Sequence, residues 1–473
     1  MIFINNLIIS LNDFLWTYIL IIMLIAIGLY FTFKTKFVQF CNIKEMFRLL
    51  TNESNKDKAK NSVSSFQAFC ISTASRVGTG NIAGIATAIS IGGPGAIFWM
   101  WLMAFIGAAS SFIESTLAQI YKQKSGSDYI GGPAYYMEKG LKKRWMGIIF
   151  AILITICFGL VFNSVQSNTI ALSLNNSFGF NKAIVGLIIT ILTLVIIFGG
   201  IHRVAKISAT IVPVMAIAYI AVALYIVIKN VNLLPSTIKL IFENAFGFNQ
   251  VLGGGVGIAI MQGIKRGLFS NEAGMGSAPN AAATATVSHP VSQGFIQTLG
   301  VFTDTIIICS CTAFMILLSG VPLDGSVKGV ELAQLALNSQ IGPFGGIFIS
   351  ICILLFAFSS IVGNYYYGES NIKFITKSKL YLNIYRLFVG FMVFFGSLVS
   401  MDLVWNLADV FMGLMAIINL IAIILLGKIA IKALNDYKCQ KRNGIKNPIF
   451  YSSTIPEIVD DVTEWPLAPN KDK

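Results

Sequence analysis

Long apolar runs separated by short polar segments dominate the pattern of this 473-residue chain. A helix needs about 20 apolar residues to cross a hydrocarbon core of about 30 Å. Eleven runs approach or exceed that length: 16–33, 66–91, 96–121, 145–170, 183–200, 207–228, 251–268, 295–318, 344–364, 381–399 and 403–427. Each is longer than a transmembrane β-strand, and a helix satisfies its own backbone in lipid. The pattern predicts an all-α membrane protein with about 11 transmembrane helices.

The composition supports this prediction. Hydrophobic residues make up 55 % of the chain and charged residues only 12 %, whereas soluble domains carry about 25 % charged residues. The first run has neither a basic flank nor a small-residue cleavage site, so we expect it to remain as a span rather than to act as a signal peptide. We therefore expect a multi-pass protein of the cell membrane.

The net charge of +13 does not require a nucleic-acid partner. Of the 34 basic residues, 28 fall in alternate segments that one side of the membrane would hold, and four fall on the other side. The basic segments are 34–60, 122–144, 201–206, 265–266, 373–379 and 428–473. By the positive-inside rule, this distribution predicts an outside N-terminus and a cytoplasmic C-terminus.

The order of the runs suggests a repeat. The predicted divisions are an extra N-terminal helix (1–33), a cytoplasmic interfacial segment (34–60), a first five-helix repeat (61–229), an outer amphipathic loop (230–248), a second five-helix repeat (249–428) and a cytoplasmic tail (429–473). Since five is odd, the second set of five helices must enter the membrane in the opposite orientation. This arrangement is typical of inverted-topology repeats in secondary transporters.

Glycine-rich segments interrupt the first span of each predicted repeat, at 77–81 and at 253–257. An unwound helix presents N–H groups at one end and carbonyls at the other, which suit a carboxylate and a cation. Close helix packing is the alternative interpretation of such small residues. In the first segment, Thr79, Gly80 and Asn81 are candidates for binding a substrate carboxylate.

Other neutral polar residues could complete such a site. The carbonyls of Ala74 and Val77 are candidate Na⁺ ligands. Paired hydroxyls also suit a hard cation, although serines in membrane helices often bond to their own backbone. The remaining candidates are Ser359 and Ser360 for Na⁺, and Gln166, Asn168 and Gln262 for an amino group or the cation, although hydrogen bonding between helices is an equal alternative for these three.

Charged residues inside the membrane cost about 2.5–3.5 kcal/mol each and often have a function. Arg76 adjoins the first glycine-rich segment, and Glu272 follows the second. We predict that they form an ion pair, which either gates the unwound region or only stabilises it.

Two rivals to Na⁺-coupled transport stay open: H⁺-coupled transport, and a channel or sensor. The chain has no GxxxxGK[ST] motif for ATP and no catalytic constellation, so we do not expect an enzyme. The acids Glu114, Asp304 and Glu369 could serve H⁺ rather than Na⁺ coupling. A channel, or a sensor that binds without moving its ligand, belongs to a different class; a channel would show flux without saturation or counterflow.

Three long motifs resemble the alanine or glycine:cation symporter family. They lie at 92–101 (GGPGAIFWMW), at 270–279 (SNEAGMGSAP) and at 77–84 (VGTGNIAG). The resemblance covers nearly the whole chain. It implies Na⁺-coupled uptake of alanine or glycine by the leucine-transporter-like fold, with two inverted five-helix repeats and one extra helix.

The resemblance also implies roles for individual residues. Thr79, Gly80 and Asn81 fall where related transporters hold the substrate. Among the other substrate candidates, Gln166 and Asn168 match a polar motif in the family's following helices, and Gln262 and Gly263 lie by the second break. Ser359 and Ser360 match the paired hydroxyls of a shared sodium site, to which Ala74 and Val77 would add carbonyls. Arg76 departs from the neutral residue of the wider leucine-transporter group, which puts a second sodium site in doubt.

Overall fold

The computed structural model describes residues 2–52, 63–126, 128–247 and 255–468, and most of them are helical. The α-helices are α1 (Ile2–Phe14), α2 (Ile21–Lys34), α3 (Val38–Cys41), α4 (Ile43–Asn52), α5 (Ser65–Arg76), α6 (Ile85–Gly92), α7 (Gly95–Ile120), α8 (Pro133–Lys139), α9 (Arg144–Ile154), α10 (Asn163–Phe178), α11 (Lys182–Ile197), α12 (Gly200–Lys229), α13 (Leu234–Ala245), α14 (Val256–Asn271), α15 (Pro279–Ala282), α16 (Val291–Val301), α17 (Ser310–Leu317), α18 (Gly329–Ile341), α19 (Phe344–Ile375), α20 (Lys379–Leu398) and α21 (Met401–Arg442). π-Helical segments occupy Leu15–Leu20, Gly80–Gly84, Thr155–Phe162 and Phe302–Cys309. Strands β1 (Gln123–Ser125) and β2 (Asp128–Ile130) form an antiparallel pair.

Within these described ranges, eight helices are long and apolar enough to cross a membrane. They are Leu7–Lys34, Gly95–Ile120, Arg144–Phe178, Gly200–Lys229, Val291–Leu317, Phe344–Ile375, Lys379–Leu398 and Met401–Arg442. Two shorter apolar helices cover Gly80–Gly92 and Lys182–Ile197. The prediction of a helical, multi-pass membrane protein is confirmed. The count of 11 spans and the inverted repeat stay predictions.

The core lies around α7, which packs against α2, α14 and α16. The second half of α7 is buried and rich in small residues, so its neighbours approach closely. By contrast, α11 and α12 expose leucine, isoleucine and valine side chains on one face. Such faces suit contact with lipid tails.

The second break does not lie where the sequence pattern placed it. Gly255 caps the N-terminus of α14 and Gly257 lies inside it, while 253 and 254 are outside the described residues. The chain unwinds instead after α14, where Glu272, Gly274 and Gly276 have φ of 58°, 84° and 84°. These left-handed conformations cannot continue a right-handed helix, so the chain unwinds after Asn271, whereas the described part of the predicted break at 253–257 is the cap and first turn of α14.

Two basic residues assigned to a cytoplasmic loop also lie elsewhere. Lys265 and Arg266 are buried within α14, and both contact the carboxylate of Asp409 in α21. A buried charge needs a counter-charge, so this contact accounts for two cations in a span. Lys265 and Arg266 should therefore not be counted among the basic residues of the cytoplasmic segments.

The predicted interfacial segment forms α3 and α4 where it is described. Glu45 in α4 accepts hydrogen bonds from Arg48 and Tyr437 and forms an ion pair with Lys441. Burial raises the pKa of Glu45, but the hydrogen bonds of Arg48, Tyr437 and Lys441 outweigh it and lower that pKa to about 2. These contacts hold α4 against the end of α21.

The chain from 443 to 468 packs against the helices. α21 extends to Arg442, well into the predicted tail, and the following segment has short 3₁₀ turns at Ser452–Thr454 and Pro456–Ile458. Five apolar side chains in it are buried: Phe450, Ile455, Ile458, Val462 and Trp465. Spaced apolar residues therefore anchor a segment that has no continuous apolar run.

Candidate transport site

The first break lies between α5 and the π-helical segment that begins at Gly80. Side-chain oxygens accept from the backbone there: the N–H of Gly78 donates to Asn81 Oδ1 at 2.9 Å, and the N–H of Thr79 donates to Gln166 Oε1 at 3.0 Å. These N–H groups belong to the end of a helix dipole that favours negative charge. Here, neutral oxygens from Asn81 and Gln166 occupy the positions that we predicted for a substrate carboxylate.

Asn81 also connects the first break to a buried acid. Its Nδ2 donates to Asp304 Oδ1 at 2.6 Å, while Ser270 and Thr305 donate to Asp304 Oδ2 at 2.8 and 3.0 Å. Thr312 donates to the carbonyl of Asn81 at 2.6 Å. The first break, α14 and the π-helical segment around Asp304 therefore meet in one hydrogen-bonded cluster.

Ser360 lies among three backbone carbonyls. Its hydroxyl is 2.8 Å from the carbonyl of Ala74, 3.3 Å from that of Val77 and 3.0 Å from that of Phe356. A hydroxyl has one proton to donate, so two of these three carbonyls lack a donor from it at any moment. A group of neutral oxygens with spare lone pairs has the chemistry that hard cations prefer.

Ser359 shares the carbonyl of Phe356 but does not reach those of Ala74 and Val77. Its hydroxyl donates to the carbonyl of Phe356 at 2.8 Å and lies 3.9 Å from Met215 Sδ. The lack of a side chain at Gly78 is what permits the close approach of Ser360, because a methyl group there would lie 2.3 Å from the Ser360 hydroxyl. The structure thus brings Ser360 together with the first break and turns Ser359 towards α12.

At the second break, a carboxylate accepts from the unwound backbone. The N–H groups of Gly274 and Gly276 each donate to Glu114 at 3.1 Å. Asn419 Nδ2 donates to the same carboxylate at 2.7 Å and to the carbonyl of Gly274 at 2.9 Å. Convergent backbone N–H groups in such turns form an anion-binding concavity, and the carboxylate of Glu114 occupies it.

An aromatic layer lies against the first break. The ring of Phe269 packs between those of Phe162 and Trp405, with centroid distances of 4.5 and 4.7 Å. A methyl group at Gly80 would lie 2.8 Å from the Phe269 ring. The guanidinium of Arg266 lies 4.6 Å from the centre of the Trp405 ring, so this layer connects the first break with the α14–α21 ion cluster described above.

The predicted ion pair between Arg76 and Glu272 is not formed in this conformation. Both residues are buried, and the guanidinium of Arg76 donates to the carbonyl of Gln297 at 3.3 Å and to Ser111 at 3.5 Å. Among the described residues, it has no carboxylate oxygen within 4.0 Å. Glu272 accepts instead from Ser75 and Ser277, at 2.7 and 2.6 Å.

Three predicted substrate residues lie away from the first break. Asn168 donates to the carbonyls of Gly396 and Val399, which ties α10 to the end of α20. Gln262 lines a separate cavity beside Arg266. A methyl group at Gly263 would lie 2.3 Å from the carbonyl oxygen of Ala96, so this glycine permits contact between α14 and α7.

Sequence reasoning gave two buried acids a lesser role and missed one aromatic residue, Phe269. Glu114 and Asp304 stood out as intramembrane acids. Most of their hydrogen-bond donors are far away in the sequence, so the sequence pattern did not indicate which residues they contact. The position of Phe269 over Gly80 depends on how α14 packs, which no local pattern reveals. The motif at 270–279 did mark the true second break, although its glycines are fewer than those at 253–257.

The broken helices, the buried neutral polar cluster and the long apolar spans define a multi-pass membrane transporter. Residues 1–452 match the model of the sodium:alanine symporter family. The chain belongs to this family.

Several known proteins are similar to the chain over almost its full length. An amino-acid carrier protein of Bacillus subtilis is 56 % identical, with 96 % of this chain and 97 % of the relative covered. A probable sodium/glutamine symporter of the same organism is 55 % identical, covering 97 % and 96 %. A putative sodium/proton-dependent alanine carrier of that organism is 45 % identical, covering 93 % and 94 %.

The fold itself resembles that of a solved transporter. The crystal structure of a manganese transporter mutant from Eremococcus coleocola matches with a TM-score of 0.55, covering 83 % of each chain at 14 % identity. This likeness shows a shared transporter fold and nothing about the substrate.

Proposed function

We propose that the protein couples inward movement of Na⁺ to uptake of a small amino acid, alanine or glycine, by alternating access. The observation that carries the proposal is the position of Ser360 among the carbonyls of Ala74, Val77 and Phe356. An ion there would join α5 to α19 at the point where α5 ends. Binding of Na⁺ would therefore hold the two sides of the first break in a fixed geometry.

The amino acid would bind beside this ion, at Thr79, Gly80 and Asn81. The Thr79 hydroxyl is buried and has no partner within the described ranges, so it is available to a ligand. A carboxylate would replace the side-chain oxygens of Asn81 and Gln166 on the N–H groups of the break. In this proposal, Asn168, Gln262 and Gly263 have structural or peripheral roles and Ser359 assists the sodium site only after a side-chain rotation.

The proposed architecture has 11 membrane helices: an extra N-terminal helix and two inverted five-helix repeats, with the N-terminus outside and the C-terminus in the cytoplasm. One repeat would rock against the other around the breaks. A potential of 100 mV supplies about 2.3 kcal/mol per Na⁺. A tenfold gradient adds about 1.4 kcal/mol, so one ion could support roughly 500-fold accumulation.

Uptake into proteoliposomes tests the coupling. We expect alanine uptake to require inward Na⁺ and to stop when choline replaces it. Ser360→Ala should raise the half-saturating Na⁺ concentration about tenfold, the effect of losing one good oxygen ligand. Ser370→Ala, in the same helix, is the matched control and should leave that concentration unchanged, because its hydroxyl lies 3.5 Å from the carbonyl of Gly131 and does not contact the carbonyls of Ala74 or Val77.

Uptake that is the same in choline would disprove sodium coupling. Competition by glycine, alanine, D-alanine and glutamine would identify the substrate. Glutamine belongs in this panel because a relative with 55 % identity is described as a probable sodium/glutamine symporter.

Proton coupling is the second candidate, and Asp304 favours it. This carboxylate is fully buried, and its hydrogen bonds come from the neutral side chains of Asn81, Ser270 and Thr305. A buried acid with neutral partners tends to take up a proton or a cation. The ionisable groups that interact with it from its surroundings are Arg76, Glu272 and Cys309. A relative described as a putative sodium/proton-dependent alanine carrier supports this candidate.

A pH gradient imposed without Na⁺ distinguishes the two candidates. If protons contribute, such a gradient should drive uptake in the wild type and fail in Asp304→Asn, which keeps the shape but cannot release a proton. Asp402→Asn is the matched control, because Asp402 is exposed and pairs with Lys328 at the surface. The absence of any pH-driven uptake in the wild type would remove this candidate.

A further inference from the structure

A cavity of about 1030 Å³ lies at the ends of three candidate membrane helices. Two of these spans begin in its wall, at Arg144 in α9 and at Lys379 in α20, and the third ends there, at Ile375 in α19. The β1–β2 hairpin and α8 supply the rest of the wall. Since membrane helices leave the hydrocarbon core at their ends, the cavity lies at the level of the lipid headgroups.

Exposed aromatic side chains mark the same level. Trp145 follows Arg144 in α9, and Tyr381 lies two residues after Lys379 in α20, and both are exposed. Tryptophan and tyrosine are enriched where a membrane meets water. Exposed apolar side chains continue from them at helical spacing: Ile149 and Ile152 in α9, and Ile384 and Phe388 in α20. The helices that begin at the cavity therefore offer the apolar surface that the acyl chains of a lipid need.

The lining of the cavity has a large excess of positive charge. Among the described residues, seven basic side chains and one acidic side chain line it. Three of the basic side chains have carboxylate partners, of which two lie outside the lining: Arg144 pairs with Glu138, Lys142 with Asp461 and Lys373 with Glu369. Seven cations thus face three carboxylates, which leaves four positive charges without a counter-charge.

The unpaired charges belong to four lysines from three parts of the wall. Lys124 lies in β1, Lys139 in α8, and Lys377 and Lys379 at the start of α20. In the described part of the chain, none of the four has a carboxylate oxygen within 4.0 Å. The acid of the neighbouring strand, Asp128, pairs with His202 instead. Mutual repulsion of these lysines disfavours their convergence unless an anion lies between them.

The helix dipoles act in the same direction. α9 and α20 both begin at the cavity, and neither has a side-chain cap at its N-terminus. The N-terminus of a helix carries partial positive charge, so a basic residue in the first turn, such as Arg144 or Lys379, is unfavourable there. An anion in the cavity would stabilise both helix ends as well as the lysines.

We propose that this cavity binds the phosphate headgroup of an anionic phospholipid, with the acyl chains along the exposed faces of α9 and α20. The positive-inside rule accounts for basic residues on the predicted cytoplasmic side, but not for seven of them around one cavity with a single acid in its lining. Basic cavities between membrane helices on that side suit lipid phosphates. The apolar faces beside the cavity favour a lipid over free phosphate.

Binding of a fluorescent phosphatidylglycerol by the full-length protein in an uncharged detergent tests the site. Fluorescence anisotropy is measured in choline buffer without an amino acid. We expect saturable binding that unlabelled phosphatidylglycerol reverses. Phosphatidylcholine at the same concentration should not displace the probe, because its headgroup has no net charge. Inorganic phosphate at that concentration should not displace it either, because it has no acyl chains.

Substitution of the unpaired lysines locates the binding. Each lysine near an anionic lipid contributes about fivefold in affinity, so Lys377→Gln with Lys379→Gln should raise the dissociation constant roughly 25-fold. Lys34→Gln with Lys206→Gln is the matched control. It removes two exposed positive charges from segments predicted to lie on the same side of the membrane, and neither residue lines the cavity. The control should change the dissociation constant by less than about twofold.

Three results would overturn the inference: equal affinity for phosphatidylglycerol and phosphatidylcholine, equal weakening in the cavity variant and the control, or displacement of the probe by inorganic phosphate. The last result would assign the cavity to free phosphate. Failure of the proposed sodium coupling would leave this measurement unchanged, because the buffer contains neither Na⁺ nor an amino acid.

Discussion

Arg76 is a buried cation that has no carboxylate oxygen within 4.0 Å among the described residues. Its side chain is 2 % exposed, and its two hydrogen bonds of 3.3 and 3.5 Å go to a carbonyl and a hydroxyl. A buried guanidinium without a close carboxylate is unfavourable, so another conformation that brings it to Glu272 would be stabilised by the pair. This makes Arg76 a candidate switch between two states rather than a fixed support.

A double-mutant cycle tests this role. Arg76→Gln and Glu272→Gln should each slow amino-acid uptake, and the double variant should be no slower than the slower single variant, since one lost pair cannot be lost twice. Thermal stability should fall little in Arg76→Gln, because the pair is not formed in this conformation. The exposed pair Arg144 and Glu138 provides the control cycle. Rate effects that simply add would contradict the switch.

At the scale of the helices, small residues set the distance between α14 and α7. Gly263 lies against the backbone of Ala96, where a methyl group would lie 2.3 Å from the carbonyl oxygen and 2.7 Å from Trp99 Cβ. Backbone atoms cannot move aside as a flexible side chain can. The orientation of α14, and with it the position of Phe269 and of the second break, therefore depends on this contact.

Two glycine substitutions in the same helix should have opposite effects. Gly263→Ala should destabilise the protein by about 1–3 kcal/mol, the usual cost of overpacking, and should impair uptake. Gly257→Ala should be neutral or stabilising by up to about 1 kcal/mol, because its methyl group would have no atom within 4 Å and alanine favours helix. Thermal unfolding in detergent measures both. Equal stability of the two variants would show that α14 can shift without cost.

At the scale of the whole molecule, the C-terminal segment joins elements that are distant in the sequence. Trp465 Nε1 is 3.2 Å from the carbonyls of Gln119 and Ile120 at the end of α7, and its ring lies 4.5 Å from Lys122 Nζ. Phe450 N–H donates to the carbonyl of Ser288, beyond the second break. The segment thus holds the end of α7 and the chain after α15 in one place.

Removal of the Trp465 side chain should weaken the contact between the C-terminal segment and the end of α7. Trp465→Ala should lower stability by about 3 kcal/mol, the typical cost of deleting a large buried side chain. Hydrogen exchange should increase at Gln119, Ile120 and Ser288. Leu467→Ala is the control, because Leu467 is 64 % exposed in the same segment. Unchanged exchange at these positions in Trp465→Ala would show that the segment packs without supporting the helices.

Much of the architecture could be predicted from local pattern, because a membrane helix must carry its own apolar length and its own backbone hydrogen bonds. The first break was also predictable, since residues 77–81 combine glycines with polar neighbours. The second break was not: Gly257 is helical and Gly255 only caps α14, whereas Glu272, Gly274 and Gly276 unwind. Glycine permits either conformation, and the contacts around it decide between them.

The sequence by itself determined the membrane location, the helical class, the family and a neutral, glycine-rich first break. Those features depend on composition and on neighbours within a few residues. Only the tertiary structure decided that Ser360 and not Ser359 faces the carbonyls of Ala74 and Val77, and that Lys265 and Arg266 share Asp409 inside the protein. These contacts join residues more than 100 positions apart, and packing alone brings such residues within hydrogen-bonding distance.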